Sequence, residues 1–328
     1  MTEKALEGEY LAISEVQEDE QDVLLDKGNV VGLGIGHKIS KEKDTGKPCL
    51  TVFVSQKLDP DEIRVDDMLP KTIGKFQTDV VETGEIFAEM NATEELPGPN
   101  TEEEDIGIET LKKRLRPAEG GYSVGHYRIT AGTIATAVTD ARPYPGIPGK
   151  YYILSNNHVL ANSNNARTGD PILQPGPYDG GTYPRDLIAR LSRYVPIRFG
   201  GPSNYVDAAI AEGQFHDLDR EIYWIGYVKG VRAVRVGEIV QKTGRTTNYT
   251  TGSVTAINAT VNVNYGGGRV AKMARQIVTT NMSAGGDSGS LLCDLNENAV
   301  GLLFAGSSSV TIHNDIRYVQ RLLGIRVV

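Results

Sequence analysis

A chain of 328 residues can hold two domains and a substantial buried core, and 39% hydrophobic with 23% charged residues is an ordinary globular composition. The formal net charge of -8 leaves no basic footprint and argues against nucleic acid as the main partner. Two cysteines, Cys49 and Cys293, are too few for a disulfide framework and fit no zinc spacing.

No apolar run reaches transmembrane length, so no membrane partner is expected. The N-terminus also lacks the basic and apolar regions of a secretory leader, which reads as a cytoplasmic protein.

Apolar residues at helical spacing among many acids predict a surface helix up to about Lys27. Val30–Gly36 and Leu50–Val54 read as strands, with a turn around Thr45-Gly46-Lys47. Asp59-Pro60 suggests a helix start, and Phe76–Glu82 a third strand. Residues 1–89 are thus expected to form a small α+β domain. Gly32, Gly34 and Gly36 lack the third glycine and the following helix of a dinucleotide fingerprint. They read as a glycine-punctuated strand under a close-packed helix, with a nucleotide switch as the alternative.

Residues 90–118 read as a linker, with Pro97-Gly98-Pro99-Asn100, an acidic run from Glu94 to Glu109, and a short helix ending near Arg116-Pro117. That run and the one from Glu15 to Asp26 are taken as solvated faces. From 119 to 328 the pattern is strand and turn: Gly132–Val138, Tyr151–Leu154, Val206–Ala211, Glu238–Lys242, Ser253–Ala256, Gln276–Thr280, Ser290–Leu292 and Val300–Phe304. One helix is expected from Asn314 onwards. This is a mostly β unit of sandwich or barrel type.

Three islands in that unit carry chemistry. In Gly285-Gly286-Asp287-Ser288-Gly289-Ser290 a serine sits on a tight turn between glycines. The turn can expose a hydroxyl and leave backbone N–H groups for a developing oxyanion. Leu154-Ser155-Asn156-Asn157-His158 runs a strand into a histidine, and Val206-Asp207-Ala208-Ala209-Ile210 opens an apolar run with an aspartate. Each also has a plain reading: a common turn, a structural histidine, a strand-end acid.

Their order decides between the readings. Histidine, then aspartate, then serine is the chymotrypsin order, which subtilisins and α/β-hydrolases do not share. With these islands, Thr243-Gly244-Arg245-Thr246-Thr247 and Gly301-Leu302-Leu303-Phe304-Ala305-Gly306, residues 119–328 resemble the trypsin-like serine peptidases. Val52-Phe53-Val54, Leu69-Pro70 and Thr78–Glu82 are similar to the leading module of bacterial relatives of the plant narrow-leaf proteins, which allows a homo-oligomer through that module.

The resemblance implies a chymotrypsin-like double β-barrel behind the α+β domain, and a serine endopeptidase acting on protein or peptide. Its triad would be His158, Asp207 and Ser288, with the N–H groups of Gly286 and Ser288 as oxyanion hole. Substrate would add as a strand along Phe304, Ala305 and Gly306. Met282, six residues before the nucleophile, would floor the P1 pocket and favour small or medium apolar residues over Arg or Lys. No metal or organic cofactor is implied. A protease fold kept for binding or scaffolding is the competing reading.

The family's activation sequence is missing. Asp287, whose counterpart in animal members pairs with a newly made N-terminal ammonium, must then find another partner or remain solvated, and the full-length chain is expected to need no processing.

Overall fold

The computed structural model describes residues 6–88, 110–142 and 149–327. The expected acidic run from Glu94 to Glu109 and the Pro97–Asn100 turn lie outside them. Residues 110–117 carry a turn at 111–112 and no helix, contrary to the sequence reading.

Two large sheets build most of the β part, beside a small parallel pair of Ala118–Gly120 and Leu218–Ile222. In the first, the strand order is Ile325–Arg326, Thr136–Asp140, Tyr151–Ser155, Ala209–Gly213, Leu187–Tyr194, Pro171–Leu173, Ser123–His126 and Gly132–Thr133. The single strand expected over Gly132–Val138 is in fact two. In the second, Ile239–Gly244, Leu291–Asp294, Asn298–Gly306, Val310–Asp315, Val270–Thr280 and Asn248–Asn264 follow in order, and the last pairs back with the first. That pairing closes a six-membered antiparallel barrel and leaves no free edge within the ring.

Alternation fixes what each face does. Val240, Val254, Ile277, Leu292 and Val300 form one apolar cluster of the second barrel, while Val124, Ile153, Ile172, Leu191 and Ala211 pack in the first. Leu154, Ile210, Leu291, Leu302, Ile316 and Leu323 join the two halves in one further cluster. Each such Val, Ile or Leu side chain contributes about 1.5–3 kcal/mol on burial. The C-terminal helix Ile316–Leu323 is capped by Asp315, whose side chain accepts from the Arg317 amide, and ends at Gly324 in the left-handed region. The fold is chymotrypsin-like and mostly β.

The N-terminal residues form the helix Gly8–Leu25, a hairpin of Val30–Ser40 and Lys43–Val54, and a strand Phe76–Glu82 parallel to the second arm. The hairpin turns at Lys41 and Glu42, both at positive φ, rather than at Thr45–Lys47, which continue the strand. Ile13, Leu24, Leu33, Ile35, Leu50 and Phe76 pack between helix and sheet.

This sheet is continuous with the second barrel. Val30–Ser40 pairs antiparallel with the far part of Asn248–Asn264, with Gly32 opposite Val261 and Ile35 opposite Ile257. The three glycines follow from that pairing, not from the helix. A Cβ on Gly32 would come within 2.7 Å of Val261, and one on Gly34 within 2.9 Å of Ala259. The acidic helix is more than a solvated face: Glu18 pairs with Arg275 at 2.6 Å and Asp22 with Lys272 at 3.1 Å. Exposed pairs of this kind contribute up to about 1 kcal/mol each. Several strands were not foreseen, among them Ser123–His126, Pro171–Leu173, Leu187–Tyr194, Val310–Asp315 and Phe87–Ala88, the last of which pairs with the end of Asn298–Gly306.

Candidate active site

His158 lies on a single helical turn, Asn157–Leu160, directly after the strand Tyr151–Ser155. Asp207 stands two residues before the strand Ala209–Gly213, later than the strand start expected at Val206. These two strands are neighbours, with Ser155 opposite Ala209, and this register brings the two side chains together. His158 Nδ1 is 2.6 Å from Asp207 Oδ2, and the His158 amide donates to Oδ1 at 3.2 Å.

Both residues are fully buried. A carboxylate only accepts, so Nδ1 carries the proton and Nε2 presents a lone pair. Nε2 has no hydrogen-bond partner among the described residues.

Three further side chains hold Asp207, and the sequence reading gave none of them this role: Asn156 donates to its carbonyl at 2.8 Å, and Tyr265 and Asn314 complete the set. Tyr265 donates its hydroxyl to Asp207 Oδ2 at 2.8 Å. Burial, then the Asp207 charge, push that phenol well above its ordinary range, so it remains a donor at any working pH. The Asn314 side chain accepts from the Asp207 amide at 3.0 Å and donates to the Asp207 carbonyl at 3.2 Å. Tyr265 and Asn314 carry no local sequence signal, since Tyr265 reaches Asp207 from just beyond the strand Asn248–Asn264 and Asn314 from Val310–Asp315.

Ser288 sits on a turn stitched to both halves of the molecule. Its carbonyl accepts from the Thr133 amide at 2.8 Å, and the Gly289 amide donates to Leu303 at 2.9 Å. At Gly132 a Cβ would meet both Val159, next to His158, and the Ser288 carbonyl, so the two islands are neighbours in space. The Ser288 hydroxyl makes a long 3.5 Å contact with the Phe304 carbonyl rather than with His158.

Gly286 and Gly289 adopt φ of +98° and +99°. A side chain at either would strike Arg245 or Ser155, so glycine is required there. The Gly286 and Ser288 amides have no acceptor among the described residues, whereas Asp287 and Ser290 use theirs within the turn.

Asp287 has the partner its position demands. Lys242 Nζ lies 3.1 Å from Asp287 Oδ2, with both side chains fully buried. Thr247 Oγ1 donates at 2.5 Å, and the amides of Thr246, Thr247 and Ala284 complete the shell. Arg245, which stands between them in sequence, turns instead to Asp179 at 2.7 Å. Lys242 was legible in principle: it shares a strand face with Val240, so the alternation that buries one buries the other.

The specificity residues divide. Phe304 and Ala305 are buried, and Ala305 and Gly306 pair with Ala88 and Phe87. Met282 packs with Val240, Val254 and Leu292 in the barrel cluster, and the Gly252 Cα hydrogens face its sulfur. Met282 is buried there, 4% exposed. Among the described residues no group of three or more His, Cys, Asp or Glu side chains could hold a metal ion.

No family model matches the chain. A stretch of 79 residues, 24% of the chain, is 47% identical to glutamyl endopeptidase 2 of Streptomyces griseus and covers 34% of that protein. The same length is 44% identical to serine protease 1 of Streptomyces fradiae and covers 18% of it. Over this stretch the chain is similar to these two serine proteases. It spans about a third or less of the length of these relatives. Among solved structures, the Nocardiopsis protease matches 64% of this chain and 97% of its own, at 20% identity and a TM-score of 0.46.

Proposed function

We propose that the chain is a serine endopeptidase in which Ser288 attacks, His158 is the general base and Asp207 orients it. The observation that carries this reading is the buried His158–Asp207 pair, 2.6 Å apart, with an unpartnered Nε2 and with the Ser288 turn close to the residue that follows His158. As Oγ bonds to the peptide carbonyl carbon, Nε2 takes the hydroxyl proton and Asp207 balances the imidazolium. The Gly286 and Ser288 N–H groups receive the carbonyl oxygen as it becomes an oxyanion. Collapse breaks the C–N bond, and the amine leaves with the proton from Nε2. Water then repeats the sequence on the acyl-enzyme.

Diisopropyl fluorophosphate, which needs only the nucleophile, base and oxyanion hole, tests this directly. It should modify Ser288, and His158→Ala should slow the reaction by roughly a hundred-fold or more. Modification elsewhere, or an unchanged rate in the variant, would remove the triad. Kinship with a protein named glutamyl endopeptidase makes glutamate the first P1 residue to test.

Tyr265→Phe removes one of the hydrogen bonds to the buried carboxylate. A bond to a charged group contributes about 1.5–3 kcal/mol, so kcat/KM should fall at least roughly ten-fold, mostly in kcat. An unchanged kcat would make the tyrosine a packing residue.

A binding or scaffolding role with little turnover is the second reading, favoured by one observation: the expected substrate edge already holds a strand of the chain. The same probe separates the two. We also propose that the chain works in a reducing compartment, the cytoplasm. Cys49 and Cys293 are buried and unpaired, and burial pushes the Cys49 thiol up to about 11.

A further inference from the structure

Taking the peptidase reading as given, we infer that Ile86–Ala88 occupies the enzyme's own substrate-binding edge, and that the chain is latent while this segment is seated. Phe87–Ala88 runs antiparallel to Asn298–Gly306, with Ala88 opposite Ala305 and Phe87 opposite Gly306. This is the edge along which a substrate strand would add, in the polarity expected of one. Each backbone N–H and C=O on that edge serves one partner strand, so segment and substrate exclude each other.

The seating is specific. Ile86 and Ala88 are each 2% exposed and pack with Phe304, Ala305 and Tyr265, while Phe87 between them is 40% exposed. In-out-in alternation is what an added strand requires. On its other side the segment meets the end of Asn248–Asn264, where the Asn264 amide donates to the Ile86 carbonyl at 2.9 Å. Upstream, Thr83 anchors it: its amide donates to Val54 at 2.8 Å, and its carbonyl accepts from Ser309 Oγ at 3.0 Å. A covalently tethered occupant competes at an effective concentration of about millimolar, above the level of most substrates.

The oxyanion turn takes no part in this latency. Asp287 already has Lys242, the first of the two outcomes the sequence reading left open, so no new ammonium is needed. What that reading did not foresee is the filled edge, which opposes its expectation of a fully competent intact chain.

Two variants release the segment by different means. Phe87→Pro removes an N–H at an exposed position and resists strand addition, and Ala88→Asp puts an unpaired carboxylate at a buried apolar one. Each is compared with the unmutated chain for turnover of fluorogenic peptides, for modification of Ser288 by diisopropyl fluorophosphate, and for melting temperature.

Both variants should raise kcat/KM about ten-fold or more, chiefly by lowering KM, with Ser288 modification changed by less than about three-fold. The peptide acetyl-Ile-Phe-Ala-amide should then inhibit them competitively. Variants that react with the probe normally yet keep the wild-type KM would overturn the latency and leave the peptidase reading intact. No Ser288 modification in any of the three proteins would overturn the peptidase reading, and latency with it.

Hydrogen exchange on the unmutated chain needs no substitution. A saturating peptide aldehyde should strip protection from the amides of residues 86–88. Protection that persists with the inhibitor bound would also overturn the latency.

Discussion

Lys242→Met should destabilise the protein by about 3–5 kcal/mol, because it removes one member of a buried ion pair and strands the other. Asp287 is fully buried, and its carboxylate is held by the Lys242 ammonium together with a hydroxyl and three amides. Methionine fills much of the volume but offers no positive charge. At roughly 2–4 °C per kcal/mol, the melting temperature should fall by about 10 °C.

The same change loosens the turn that carries Gly286 and Ser288. Activity measured below the melting transition should therefore fall too, by roughly a hundred-fold, the cost typical of a lost oxyanion donor. Adding Asp287→Asn to Lys242→Met removes the stranded charge and should restore part of the stability but little of the rate. A single-variant melting shift under about 2 °C would mean that Asp287 is satisfied by its amides alone.

The three residues of the proposed triad could be picked out in the sequence because their signals are local. A glycine-flanked serine, a strand-end histidine and an aspartate before an apolar run each have a short pattern, and the chain order arranges them. The helix Gly8–Leu25 and the strand Phe76–Glu82 were equally local, since periodicity alone defines them. What escaped was set by tertiary pairing. Tyr265 lies 58 positions from the carboxylate it holds, and Lys242 lies 45 from Asp287. Glycines 32, 34 and 36 were read against a helix because no sequence pattern announces a neighbouring strand more than two hundred residues away. Phe87–Ala88 is two residues long, too short for any periodicity, and exists as a strand only because the edge at Ala305–Gly306 receives it.

Ser288→Ala should abolish turnover while leaving the fold untouched, and the two halves of that statement rest on different observations. The serine side chain makes one long contact, 3.5 Å to the Phe304 carbonyl, so its loss should change stability by about 0.5 kcal/mol or less. The turn itself is held by other groups: the Ser288 carbonyl to Thr133, the Gly289 amide to Leu303, and Asp287 to Lys242. Alanine keeps all of these.

The chemical loss is large because no neighbouring hydroxyl can replace it. The Ser290 hydroxyl is committed to the Asp287 carbonyl at 2.6 Å and is buried. Without a nucleophile, the oxyanion hole and His158 can only assist direct attack by water, so kcat should drop by roughly 10⁴–10⁶. The measurement belongs in the Phe87→Pro background, where a filled substrate edge cannot be mistaken for a missing nucleophile. There, Ser288→Ala should bind acetyl-Ile-Phe-Ala-amide as well as its parent and cleave nothing. Hydrolysis at the parent's rate by the alanine chain would transfer the chemistry to another residue and dissolve the triad.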